Sequence, residues 1–247
     1  MRQNTKTILL FLFPSADEPV WMTFAHLSSV VPKLTQAGLA SALFLLDKKE
    51  LLRIDKTGSE WRYSLSSHGV SHLKGLFPAL STAHEKKQPS WLLLVFLTAP
   101  KADKNFRYLR AYLSQNQAVT LTRAVYLLFR HLAEKVLPEL ERSYKNAVLV
   151  VELGDWVFGD DYKIIGQRSG LDDLFELYSS ISKELDRLIS IKSTGKIFTQ
   201  QENLDFHSAL NRFLNLLEQD TALLGVYFPE VVTASELLNK LQKCVKI

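Results

Sequence analysis

Between Leu34 and Leu65 the apolar residues change their period, and that change limits what this stretch can fold into. Leu39, Ala42, Leu43 and Leu46 recur at helical spacing, with Thr35 placed as an N-cap for a helix running to about Lys49. From Leu51 the period drops to two. Residues 51–54 and 61–65 alternate on either side of Lys56, Thr57 and Gly58, the pattern of a β-hairpin. Upstream, residues 5–13 and 21–30 read as two more helices, separated by the turn-rich PSADEP and closed by Pro32. Downstream, residues 67–77 read as a helix capped by Ser67. Three helices, a hairpin and a helix, within residues 1–82, follow the order of a winged helix-turn-helix domain.

A polar, proline-ended stretch from Ser81 to Pro89 marks the next boundary. Beyond it WLLLVFL is an unbroken apolar run, which suits a central strand covered on both faces. A helix over 103–113, a strand over 118–128, a helix over 132–144, a strand over 147–153 and a short strand over 161–165 follow. Residues 90–166 thus read as a ferredoxin-like domain with both helices on one face of a small sheet. Residues 167–247 read as a helical domain, with helices over 171–191, 199–219 and 234–245. The fold class expected is α+β, in three domains of 1–82, 90–166 and 167–247.

Composition excludes several classes. One cysteine, Cys244, rules out a disulfide framework or a cysteine-rich zinc site and suits a reducing compartment. The apolar run of residues 8–13 is too short for a signal-peptide core, and no run approaches a membrane span. A cytoplasmic protein without a membrane partner is expected. The net charge of +4 leans toward a polyanionic partner. The first 90 residues hold eleven Lys or Arg against seven Asp or Glu, so the whole excess falls on the winged-helix segment together with the stretch that follows it.

Three patches give the chain a wider likeness. ASALFLLDKKELL followed by RYSLSSHGVSHL, then SWLLLVF with NFRYLRAYLSQNQAVTLTRAVYLL, then LNRFLNLLEQDTALLGVYFPEVV with ASELLNKL, occur in the order and spacing of the PaaX-like, phenylacetate-catabolism type transcriptional regulators. The chain resembles that family over most of its length. The resemblance implies a homodimeric winged-helix repressor that binds double-stranded DNA and releases it on meeting an acyl-CoA-type effector. The family's middle domain is in turn similar to small ferredoxin-like proteins of CRISPR adaptation. One departure matters: the family commonly places arginines along the recognition helix, where this chain has Ala37, Ala40 and Leu45.

From Leu34 to Leu46 the third helix carries no charge. Phosphate contacts must therefore come from its borders: Lys33 before it, Lys48 and Lys49 at its end, and Lys56 and Arg62 on the wing. Thr35, Gln36 and Ser41 are left to face base edges; Gln can read adenine, and small side chains can touch thymine methyl groups. The competing reading is a winged helix used for protein contact or as a scaffold, since an uncharged helix is easily buried in an interface. A non-catalytic adaptor of nucleic-acid processing is a third reading. Arg107, Arg110 and Arg123 could meet effector phosphates, or be solvated faces.

No catalytic, metal or cofactor site is expected. Asp103 stands too far past the 91–97 strand for a nuclease aspartate and suits a helix start. Glu152, Asp155, Asp160 and Asp161 match no EF-hand spacing and read as a solvated turn. Of His26, His68, His72, His84, His131 and His207, only His68 and His72 have metal-ligand spacing, and they lack a third partner. There is no P-loop, G-x-S-x-G or G-x-G-x-x-G.

Overall fold

The structure, a computed structural model, describes residues 3–14, 18–58, 60–81, 90–98, 103–154, 157–220 and 223–245. The chain is α+β and divides into two compact units, one of residues 1–83, 174–225 and 230–247, the other of residues 84–173 and 226–229. The first unit thus joins the N-terminal segment to most of the helical C-terminal segment.

In the first unit, α1 (Gln3–Phe11) forms the middle of the core: Ile8, Leu9, Leu10, Phe11 and Leu12 are wholly buried. The helix begins and ends two residues earlier than residues 5–13. It packs against α2 (Phe24–Val30), α4 (Ser67–Leu76) and α10 (Ala234–Val245). The end of α1 leaves carbonyls without helical partners. Buried Gln242 of α10 donates its amide to the carbonyls of Phe11 at 3.1 Å and Phe13 at 2.9 Å. Helices α7 (Leu171–Ser193) and α8 (Gln200–Gln219) are stitched by Arg187 to Asp205 and by Arg212 to Glu184 and Ser180, and a buried Tyr178 hydroxyl donates to Asp220. Thr199 and Glu202 close the start of α8 as a capping box.

The expected helix over 21–30 starts later. Met22–Thr23 (β1) pairs antiparallel with β3 (Arg62–Leu65), which pairs in turn with β2 (Leu52–Asp55), giving a three-stranded sheet in the order β1-β3-β2. The side chain of Thr23 then caps α2 through the N–H of His26, and Trp21 lies outside the helix. The cap of α4 is Ser66 rather than Ser67. Its hydroxyl oxygen accepts from the N–H of Gly69 and its O–H donates to the carbonyl of Glu50, a contact open to only one of the two serines.

Helix α3 (Gln36–Lys48) ends in a Schellman motif. The N–H of Glu50 bonds to the Asp47 carbonyl and that of Leu51 to the Leu46 carbonyl, and both Leu46 and Leu51 are buried. The motif puts Glu50 at φ 58°, where glycine is preferred. The Leu51 carbonyl then accepts from Ser66 N–H at 3.0 Å, and a Cβ on Gly69 would lie 2.2 Å from that oxygen. Only glycine lets α4 lie this close to the hairpin base.

In the second unit, β4 (Trp91–Phe96) is central. It pairs antiparallel with β6 (Val125–Phe129) on one side and with β7 (Val148–Glu152) on the other, and the sheet order is β5-β6-β4-β7 with β5 at Val119–Thr120. The single strand expected over 118–128 is split by a bend at 121–124. The split yields β-α-β-β-α-β, a sheet compatible with a ferredoxin-like arrangement. Leu92, Leu94 and Phe96 point to one face, where Phe106, Leu109 and Leu113 of α5 (Lys104–Gln115) and Val136 and Leu140 of α6 (Ala133–Tyr144) form one core with Tyr126 and Leu128. Both helices therefore cover the same face, as the sequence pattern requires. The edge strand β7 keeps Leu149, Val150 and Val151 exposed. The strand expected over 161–165 is a π-helical turn, Tyr162–Gly166, whose entry is capped by Asp161.

Two substitutions test the junction between α3, the hairpin and α4. Glu50→Gly should stabilise the protein by about 0.5–1 kcal/mol by relieving the left-handed backbone. Gly69→Ala should destabilise it by about 1–3 kcal/mol, because a backbone oxygen must move. Urea denaturation followed by circular dichroism should show the midpoint rising for the first and falling for the second.

Candidate nucleic-acid interface

The sequence of α3 separates it into two faces. Leu39, Leu43 and Leu46 are buried, and the helix is held by that row. On the opposite side Ala37, Ser41, Phe44 and Lys48, at i, i+4, i+7 and i+11, are exposed, flanked by Gln36, Ala40 and Leu45. Phe44 is 66% exposed and Leu45 53%, so this face is apolar and has nothing packed over most of it. Thr35 is exposed, but its hydroxyl oxygen accepts from the N–H of Gly38 at 3.1 Å; its first duty is to cap the helix.

Positive charge stands around this face. Lys33 lies on the turn before α3, and Lys48 and Lys49 at its end; all three are exposed and in no ion pair among the described residues. On the hairpin, the ammonium of Lys56 stands 4.5 Å from the ring centre of half-exposed Trp61. Arg62 is differently placed. Its guanidinium meets the Asp55 carboxylate at 2.6 Å, the cross-strand pair that the hairpin register makes. The Thr57 hydroxyl and N–H also donate to that carboxylate, and with Arg62 they pull its pKa down to about 2. Arg62 is thus half-neutralised at the wing. Arg53 of β2 was missed in the sequence; it is exposed and donates to the Ser67 hydroxyl at 3.2 Å, leaving further donors free for an anion. Its signal was available: on a hairpin strand it is the one cation flanked by inward-facing Leu52 and Ile54. Phe44 was also legible, since it falls opposite the leucine row on a helical projection.

The remaining candidates separate into local roles. The Tyr126 hydroxyl donates to the Arg123 carbonyl at 3.0 Å; burial raises the Tyr126 pKa, and the nearby Arg110 and Arg123 cations oppose the rise. The structure thus brings Arg110 and Arg123 to one tyrosine, while Arg107 is exposed on α5. Arg123 also lies 6.0 Å from the Phe106 ring. Arg168, unremarked in the sequence, donates to the Leu121 carbonyl at 3.0 Å and holds the bend between β5 and β6.

The acidic residues have partners of their own. Glu152 takes Ser90 at 3.1 Å and Arg130 at 3.5 Å, Asp160 takes Lys163, and Asp161 accepts from the Tyr227 hydroxyl at 3.2 Å. Asp155 lies outside the described residues, as do His84 and the His131 side chain. Among the described residues no group of three metal-ligating side chains converges. Asp103 caps α5 through the N–H of Asn105. His68 and His72 are exposed on α4. Cys244 is buried, and burial pushes its thiol up to about 11, which keeps it protonated near neutral pH. Among the described residues no helix is long and apolar enough to cross a membrane.

No protein-family model matches the chain, and no curated protein matches it. Among solved structures, an uncharacterized protein Rv0674 from Mycobacterium tuberculosis is similar over 98% of this chain and 96% of that one, at 15% identity and a TM-score of 0.48.

The Asp55–Arg62 pair gives a test of whether this face meets polyanions. Asp55→Asn keeps the acceptor for the Thr57 N–H, removes one negative charge and frees Arg62. Binding to duplex DNA should tighten, and the slope of log affinity against log salt should steepen by about one. Fluorescence anisotropy between about 50 and 200 mM salt reads both; an unchanged slope places Arg62 away from any phosphate.

Proposed function

We propose that the protein is a DNA-binding transcriptional regulator of the PaaX-like type, a repressor that works through an N-terminal winged helix. The observation that carries the reading is the placement of α3. It is held by one leucine row, presents its other face outward, and is bordered by Lys33, Lys48 and Lys49, which are in no ion pair among the described residues. The element order of α2, α3 and a hairpin whose sheet runs β1-β3-β2 supports a winged helix-turn-helix within residues 1–82. The sheet order of the second unit supports a ferredoxin-like domain within 90–166, and the helices α7, α8 and α10 support a helical domain within 167–247. Lysines at both ends of α3 and on the wing hold phosphates, and Gln36 and Ser41 face the bases. A homodimer accords with the exposed apolar edge of β7, since unprotected strand edges tend to acquire partners. An acyl-CoA-type effector rests on the family resemblance, with Arg107, Arg110 and Arg123 as its candidate cations, of which Arg110 and Arg123 act on Tyr126. The reading assigns no reaction to the protein and places it with the DNA of the cytoplasm.

One observation favours the rival reading, a winged-helix protein-interaction or scaffold protein. Phe44 and Leu45 expose apolar surface of the kind protein partners cover. Charge reversal separates the two. Lys48→Glu with Lys49→Glu should cost at least about tenfold in duplex affinity at 50 mM salt and flatten the salt slope by about two, with the circular dichroism spectrum unchanged. Unchanged affinity in the folded double variant would overturn the DNA-binding assignment.

A further inference from the structure

We infer that α3 discriminates bases through their methyl groups, so that the duplex it prefers is rich in A·T pairs whose thymine 5-methyls meet Phe44 and Leu45. The inference rests on the DNA-binding reading above and names the kind of site that reading requires.

The outward face of α3 offers two side chains that can hydrogen-bond a base edge, Gln36 and Ser41, and four apolar ones, Ala37, Ala40, Phe44 and Leu45. In the major groove, guanine presents two acceptors, which are matched by Arg or Lys. No such donor stands on this face before Lys48, at the last position of the helix. Cytosine presents a donor, matched by Asp or Glu, and the helix's one carboxylate, exposed Asp47, stands in its last turn beside Lys48, outside the stretch from Gln36 to Leu45. Thymine alone presents an apolar group there, and its partner adenine presents the donor and acceptor pair that Gln36 can satisfy. Phe44 stands in the middle of the exposed row, one helical turn from Ala40 and Ser41 and one from Lys48, where a base-reading residue would be centred. The 13 residues of α3 give a rod of about 20 Å, long enough to follow the groove across several base pairs.

Charge identifies the occupant of this apolar face. Lys33 lies at one end, Lys48 and Lys49 at the other, and Arg53 and Lys56 on the adjoining hairpin; all are exposed, and none forms an ion pair among the described residues. An apolar strip between two cationic borders matches a groove whose floor carries methyl groups and whose walls carry phosphates. Phe44 and Leu45 are then specificity-determining residues, and the lysines supply affinity that is independent of sequence.

The test uses the full chain. Duplexes are selected from a random pool, and the enriched duplex is remade with uracil in place of thymine, which deletes the 5-methyl and nothing else. The enriched core should be A·T-rich. Each contacted thymine changed to uracil should weaken binding by about fourfold, the value of one buried methyl. Phe44→Ala with Leu45→Ala should bind the thymine and uracil duplexes alike, with the weaker affinity that the unmodified protein has for uracil. A G·C-rich core, or equal affinity of the unmodified protein for the two duplexes, overturns the methyl readout while salt-sensitive binding leaves the DNA-binding reading standing. Failure to retain any duplex at about 50 mM salt overturns both, and a protein captured on the Phe44 face would then be the expected occupant.

Discussion

The backbone of Leu51 is the point on which the candidate interface depends. Its N–H closes α3 on the Leu46 carbonyl, and its carbonyl takes the N–H of Ser66. The next residue opens β2, paired with Leu65 of β3. The same carbonyl lies where a side chain at Gly69 would have to be, so α4 is pressed onto it. One residue therefore sets the angle at which α3 leaves, the base of the hairpin and the seat of α4. The left-handed Glu50 just before it is the strain that this geometry tolerates. With α3 and the wing fixed to one another, the lysines at the helix end and the cation at the hairpin tip keep a constant separation. That constancy is what recognition of a regular phosphate lattice needs.

The leucine row of α3 has a consequence for chemistry as well as for packing. A helix anchored along a single row leaves its far side free to vary without cost to the fold. What stands on that far side is then evidence about use. A solvated face would ordinarily carry charge. This one carries Ala37, Ala40, Phe44 and Leu45, and its exposed apolar surface needs a reason beyond folding.

Much of this was legible in the sequence, and what escaped it did so for local physical reasons. The period of α3, its Thr35 cap, the hairpin and the central place of β4 follow from patterns confined to one segment. The two-residue strand β1 does not, because its partner β3 lies some forty residues on and two residues carry no period. Ser66 and Ser67 are equal candidates for a cap until the Glu50 carbonyl decides between them. The break at 121–124 is held by Arg168, from a distant segment. The turn at Tyr162–Gly166 has apolar residues in a strand-like run, but Asp161 caps it as a helix. At the candidate site, the two neighbours Lys56 and Trp61 and the pair Asp55 and Arg62 emerge once the hairpin register is known. A charge count treats Arg62 as a free cation; the register shows it shared with a carboxylate.

The absence of charge from Gln36 to Leu46 of α3 need not weaken the proposed binding to DNA, because affinity and discrimination come from different groups. Affinity follows the number of phosphates neutralised, and cations at the borders of the helix reach the strands that flank the groove better than cations at its centre would. Discrimination follows what the central side chains can and cannot satisfy. An arginine on the central face would reward guanine and also draw the helix to any phosphate, which raises binding to all sequences. A face without charge gains nothing from the backbone and is indifferent until its apolar groups find apolar partners. On the proposed reading such a helix would depend on its lysine borders for attraction, and its preference would be set by shape and methyl contact. The division of α3 into charged ends and an apolar middle is therefore consistent with the proposed reading of sequence, through contacts other than arginines.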